Sequence, residues 1–285
     1  MKKQITKKSI LAIFLAAFLI LGLAACGSSK DTAQETETEK VEEPAEDTAD
    51  DVADDTATVK GTALKDGVLD LGTNAAFPPY EFYEGDEIVG IDPEIAKAVA
   101  DYLGYELKIH DMEFNNIIAS IESGKIDGGI AGMTVNETRL KSVNFSNSYA
   151  TGIQSIIVTQ DSEIETVEDL EGKKIGTQFG TTGDIYAQDD FGVENVQSFD
   201  KGADAVVALS SGKVDAVIID NQPAISFVAN NEDLKVLDTD YEVEDYAIAL
   251  TKSNEALLEE VNQALTALKD SGELQKIIDK YISAD

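Results

Sequence analysis

Ser123-Gly124-Lys125-Ile126-Asp127 and Ser211-Gly212-Lys213-Val214-Asp215 are two copies of one pattern. The first runs into an apolar segment to Ala131, the second into Ala216 to Ile219. Each copy is preceded by apolar residues at helical spacing: Ile117, Ile118 and Ile121 before the first, Val206, Val207 and Leu209 before the second. A second pair lies upstream, where Val68 to Leu71 leads into Gly72-Thr73-Asn74 and Lys173 to Ile175 leads into Gly176-Thr177-Gln178. The parts recur in the same order, and the sequence predicts two similar α/β lobes.

Working outward, Asp92 before Pro93 reads as an N-cap with proline at the first helical position, and Ile95, Val99 and Leu103 then share a face until Gly104. Glu106 to Ile109 reads as the next strand, and Leu257, Val261, Ala264, Leu265 and Leu268 as an amphipathic helix ending before Gly272. Strands alternating with helices predict mostly parallel sheets, whose ligands bind beyond the carboxyl ends of the strands. Segments 74–81, 132–139, 178–183 and 220–223 fall at such ends, so two facing lobes are expected to share one cleft.

The N-terminus sets the compartment. Lys2, Lys3, Lys7 and Lys8 precede an apolar run from Ile10 to Leu23, the pattern of a secretory signal. The run closes on Leu23-Ala24-Ala25-Cys26, which resembles the lipobox of bacterial lipoproteins and implies cleavage before Cys26 and its lipidation. Cys26 is the only cysteine, which excludes internal disulfides and Cys-rich metal sites. Residues 28–60 are nearly all Asp, Glu, Thr and Ala, too polar to bury a core, and read as a tether. The formal net charge of −33 argues against nucleic acid and anionic lipid as partners.

Catalytic equipment is sparse. His110 is the only histidine, and no nucleophile elbow, Walker loop or metal-ligand cluster is present, so a hydrolase or metal enzyme is disfavoured and no cofactor is expected. Against twenty-one lysines the chain has a single arginine, Arg139. Lysine suffices for solubility, whereas a planar fork is what a carboxylate needs. Arg139 follows the strand-end segment Ala131-Gly132-Met133-Thr134, and Gly180-Thr181-Thr182-Gly183 offers backbone N–H groups and hydroxyls at a helix start. Asp220 ends an apolar strand, where it can cap the helix at Pro223 or accept an ammonium. Together these groups offer complementary ends to a zwitterion. Phe77, Tyr80 and Phe114 lie in strand-to-helix loops, where aromatic faces can sandwich a ligand side chain, although Tyr80 reads better as packing.

From about Leu69 to Tyr281 these residues resemble the polar amino-acid family of solute-binding proteins that serve ABC importers. The specific pieces are Gly72 to Phe82 with Pro78-Pro79-Tyr80-Glu81, Val89-Gly90-Ile91-Asp92, the first Ser-Gly-Lys-Ile-Asp, Ala131-Gly132-Met133-Thr134 with Arg139, and Gly180-Thr181-Thr182-Gly183. The resemblance implies a two-lobed periplasmic-binding-protein (venus flytrap) fold with a two-strand hinge near Ala150 to Ile153 and Tyr241 to Tyr246. It implies that Arg139 grips the α-carboxylate of a free L-amino acid, with backbone groups around Thr134 and Thr182. Asp220 and the Gly132 carbonyl would receive the ammonium, and Phe77 and Phe114 would flank the side chain. Asn74, Gln178 and Thr181 complete the expected site. Many relatives carry aspartate where this chain has Asn74, which adds weight to a neutral polar ligand, while Glu81 can still receive a cation.

The expected organisation is a signal peptide over 1–25, lipidated Cys26 and tether over 26–60, a first lobe from 61–150 plus 245–285, and a second lobe from 151–244. The expected partners are an ABC permease and, through Cys26, the outer face of the cell membrane, with the protein itself a monomer. The same resemblance also reaches cyclohexadienyl dehydratase-like enzymes, and a sensory lipoprotein is a third reading.

Overall fold

The computed structural model describes residues 61–239 and 241–282; the expected signal, Cys26 and the tether lie outside the described residues. Two mixed sheets form the centres of two lobes. The first has the strand order Glu106–Asp111, Val68–Thr73, Gly128–Gly129, Ala249–Thr251, Val143–Phe145. Its first three strands are parallel and the last two antiparallel to their neighbours. The second runs Val196–Phe199, Ile175–Gln178, Ala216–Asp220, Ala150–Thr159, Leu234–Val236, with Glu242–Tyr246 also paired to Ala150–Thr159. Here too three strands are parallel and the rest antiparallel. The sheets are thus less parallel than the strand–helix alternation predicts. The added antiparallel strands flank the two crossings between lobes, Val143–Phe145 and Ala150–Thr159 around the first, Leu234–Val236, Glu242–Tyr246 and Ala249–Thr251 around the second.

The repeated pentapeptide has one physical job in both lobes. The helices Phe114–Glu122 and Gly202–Ser210 each end in a left-handed glycine, with Gly124 and Gly212 both at φ 69°. The next residue donates back five positions, Lys125 N to Ser120 O at 3.0 Å and Lys213 N to Ala208 O at 2.9 Å, a Schellman closure. Ile126 and Val214 then enter the core. The aspartate clips the turn to the start of a neighbouring strand: Asp127 Oδ2 accepts from Asp70 N at 2.9 Å, and Asp215 Oδ2 from Lys174 N at 2.8 Å. Each part of the pattern therefore fixes where the next strand begins, and with it the height at which that strand ends at the cleft.

Helix Ile91–Leu103 buries Ile95, Val99 and Leu103 as its periodicity requires, in the same core cluster as Leu257, Val261 and Leu265 of helix Glu255–Asp270. Each such side chain contributes about 1.5–3 kcal/mol by leaving water. Its start differs from expectation. Gly90 is the N-cap, and Asp92 lies inside the helix, fully buried, with no capping bond. Its carboxylate instead accepts from Gly132 N at 2.7 Å and Tyr149 Oη at 2.9 Å, a tertiary use that overrides the local capping pattern.

The chain enters the second sheet along Ala150–Thr159 and returns along Glu242–Tyr246, in a register from Tyr246 opposite Ala150 to Glu242 opposite Gln154. This antiparallel pair is the two-strand hinge of the fold.

A β-carbon at Gly124 or Gly212 would meet nothing within 4 Å, so an alanine there tests backbone conformation alone. Gly124→Ala and Gly212→Ala are each expected to lower stability by about 1–2 kcal/mol in urea denaturation, the cost of a left-handed non-glycine residue. A neutral result at either position would show that its turn does not hold the left-handed conformation.

Candidate functional site

Arg139 opens a short 3₁₀ turn, Arg139–Lys141, placed by a bond from its own backbone N to Asn136 Oδ1 at 2.9 Å. Its side chain is only 6% exposed. Nη1 donates to Thr134 O at 2.8 Å and Nη2 to Gly180 O at 3.2 Å, while the guanidinium carbon sits 5.2 Å from the centre of the Phe114 ring. A guanidinium has five N–H donors, so these bonds leave donors over, and no carboxylate among the described residues forms an ion pair with it. Burial lowers its pKa to about 10, against the opposing pull of Glu244. A buried fork with unspent donors is a place for an anion.

The opposite wall comes from the second lobe. Strand Ile175–Gln178 ends in a loop held by Asp184, which accepts from Thr177 Oγ1 at 2.6 Å, Ser198 Oγ at 2.5 Å and Gly180 N at 3.1 Å. Thr181 caps the helix Thr182–Phe191 by accepting from Asp184 N at 3.2 Å, and donates to Gln178 O at 2.8 Å. The helix N-terminus, with its free N–H groups, therefore opens on the cleft. The hydroxyls of Thr134 and Thr182 are engaged elsewhere: both donate to Glu244 Oε2, at 3.0 and 2.9 Å, as does Gln154 Nε2 at 2.9 Å. What these threonines offer the cleft is backbone.

Between the walls lies a small cavity lined by residues of both lobes. Of the residues expected from sequence, Asn74, Phe77, Phe114, Gly132, Thr134, Arg139, Gln178, Thr181 and Thr182 all line it. Asp220 does not. It sits behind the lining residue Tyr246, whose hydroxyl donates to Asp220 Oδ2, and it also accepts from Ile153 N at 3.1 Å and caps the following helix through Gln222 N at 3.2 Å. Burial nonetheless raises its pKa to about 7. Tyr80 packs, 1% exposed, between Phe77 and Tyr246, with ring centroids 5.9 and 5.3 Å away.

The two amides change the reading of Asn74. Gln178 Nε2 donates to Asn74 Oδ1 at 2.9 Å, and Asn74 Nδ2 donates to Met112 O at 2.9 Å. Asn74 is thus spent on the opposite lobe, which weakens its value as a reader of neutral ligands.

Of the remaining lining residues, Ala131, Gln154 and Tyr246 were not expected, and Glu81 was expected only as a group able to receive a cation. Gln154 could have been noticed as a polar interruption of the apolar strand 152–158; nothing local marks Tyr246. Glu81 is the most telling. It is 1% exposed, and neither carboxyl oxygen has a hydrogen-bond partner among the described residues. Burial, then the neighbouring Asp92, Asp220 and Asp111, raise its pKa well above the carboxylate range.

This geometry, a two-lobed fold closed on a cavity with a buried guanidinium at one place and buried acid at another, has close relatives. The chain is 31% identical to the arginine-binding extracellular protein ArtP of Bacillus subtilis strain 168, over 98% of this chain and 99% of that one. Among solved structures it matches the arginine-, lysine-, histidine-binding protein ArtJ of Geobacillus stearothermophilus with a TM-score of 0.73 and 33% identity, covering 76% of this chain and 96% of that one. It also matches an ancestral arginine-binding protein bound to glutamine, with a TM-score of 0.73 and 39% identity, over 76% and 99% of the two chains. These relatives bind amino acids, and others are named as ABC transporter components. With residues 69–284 matching the family as a whole, the chain belongs to the bacterial extracellular solute-binding proteins, family 3.

Proposed function

We propose that this protein captures a cationic L-amino acid, arginine foremost, in the cleft between its lobes, and delivers it to an ABC permease from a lipid anchor on Cys26. The observation that carries the ligand assignment is Glu81, a buried carboxyl with two unpartnered oxygens on the cavity wall. A guanidinium supplies the paired donors such a group lacks. Arg139 and the N-terminus of helix Thr182–Phe191 take the α-carboxylate. The ammonium faces the Gly132 carbonyl and the Asp220–Tyr246 pair, and the side chain runs between Phe77 and Phe114 towards Glu81. The arginine-binding relatives support this choice. Glutamine is the second reading, favoured by the raised pKa of Glu81, which makes it an uncharged hydrogen-bonding group.

Titration calorimetry of the purified protein against the twenty amino acids should find arginine bound with micromolar affinity or tighter. No heat and no melting shift with any of them would overturn the proposal; heat with glutamine alone would leave the second reading. Arg139→Ala should weaken binding by about 2–5 kcal/mol, roughly 30-fold to several-thousand-fold, because the ligand carboxylate is left buried and unpaired. Arg139→Lys should recover only part of this. Glu81→Gln should weaken arginine by a similar factor and spare glutamine; equal loss of both would mean that Glu81 takes the ammonium instead.

The anchor rests on the basic start, the apolar run and Cys26. One acyl chain binds a membrane only marginally, while the several chains of a lipoprotein hold firmly. Cys26→Ser should release the protein from the membrane fraction or leave its precursor unprocessed. Unchanged fractionation and processing would remove the anchor from the proposal.

A further inference from the structure

Glu81 does not stand alone in its corner of the cleft. Asp92, on helix Ile91–Leu103, is fully buried and lies within hydrogen-bonding reach of it. Asp92 Oδ2 is held by Gly132 N and Tyr149 Oη, at 2.7 and 2.9 Å. Asp92 Oδ1 and both Glu81 oxygens have no partner when both groups are drawn as carboxylates, since neither can then donate. One proton resolves the conflict: a Glu81 hydroxyl donates to Asp92, as in other paired buried acids. The proton belongs on Glu81, because Asp92 already receives two fixed donors that favour its anion.

The other groups facing Glu81 keep the proton there. Asp220 at the end of strand Ala216–Asp220 and Asp111 at the end of strand Glu106–Asp111 add negative charge. Burial, then Asp220, Asp92 and Glu81, hold Tyr80 neutral; burial, then Asp92 and Glu81, do the same for Tyr149, and burial, Asp220 and Tyr80 for Tyr246 behind them. Arg139, the only guanidinium on the cavity wall, makes its bonds to Thr134 and Gly180 instead. Burial holds Asp92 itself up at about 7, even with its donors.

We infer that Glu81 is an exchangeable reader of the ligand side chain, releasing its proton to solvent when a cationic side chain binds and keeping it for a neutral amide, with Asp92 as the positioning residue that sets the pH of the exchange. The inference rests on the amino-acid-binding reading above and deepens it. As a carboxylate, Glu81 accepts two parallel N–H bonds from a guanidinium; as an acid, it donates to an amide oxygen and accepts from the amide nitrogen. One position thus serves both kinds of side chain, and pH decides between them. Where free Glu81 is protonated, arginine affinity must rise about tenfold per pH unit and level off once the group is ionised, while glutamine affinity stays flat and then falls.

The test is titration calorimetry with arginine and with glutamine between about pH 5 and about pH 9, in buffers of differing ionisation heat, so that protons exchanged on binding are counted. About one proton should leave with arginine binding in the acid half of the range, and none with glutamine. Glu81→Gln should abolish both the release and the pH slope. Asp92→Asn, whose amide can donate to a Glu81 carboxylate, should move the slope to lower pH. Arginine binding of constant affinity with no proton released would overturn this inference and leave the cation-binding function standing. Proton release that persists unchanged in Glu81→Gln would overturn it as well, by placing the proton elsewhere. No arginine binding at any pH would remove the function on which it rests, and the inference with it.

Discussion

A guanidinium buried without a carboxylate is a costly thing to build, several kcal/mol even after relaxation, and the cleft is organised around the one at Arg139. Its two hydrogen bonds go to Thr134 O in the first lobe and Gly180 O in the second, and its face lies on Phe114. The charge is therefore well served only when the lobes meet. Closure and relief of the buried charge become one event, and the bond from Gln178 to Asn74 adds a neutral contact across the same gap. Glu244, on the return strand of the hinge, draws Thr134 from one lobe and Thr182 from the other onto a single oxygen. The hinge thus reaches into the site through one side chain.

The repeated turn explains why two lobes can supply different halves of one site. In both, the glycine and the aspartate fix the start of the next strand, and the residues just beyond the strand ends are left free to vary. After Val68–Thr73 and Gly128–Gly129 the first lobe places Asn74, Phe77, Glu81, Gly132 and Arg139; after Ile175–Gln178 the second places Thr181 and Thr182, while Asp220, at the end of Ala216–Asp220, stands behind Tyr246. The scaffold is duplicated and the chemistry is not.

What could be read from sequence follows from the range of each interaction. The lobes, the helix faces and the glycine stops are local patterns, and local patterns repeat visibly. Arg139 stood out because it is the only arginine, and the threonine loop because helix starts have a recognisable composition. Asp92 was misread for the complementary reason: Asp-Pro is a good local cap, but Gly132 N, 40 residues on, offers a buried bond that a cap in solvent cannot match. The pairing of Glu81 with Asp92, the covering of Asp220 by Tyr246 and the antiparallel strands joining the sheets all depend on which distant segments meet. Periodicity carries no record of that.

The acidity of the chain also acts at a distance on small solutes. A net charge of −33 sets up a negative potential around the molecule that a dissolved amino acid meets before any side chain touches it. Cationic amino acids are drawn inward along it and anionic ones turned away, an influence that fades as salt shortens the Debye length. For the cationic ligand proposed above, discrimination against an anionic amino acid would then begin in the rate of arrival, in the water outside the cleft, before the buried groups act.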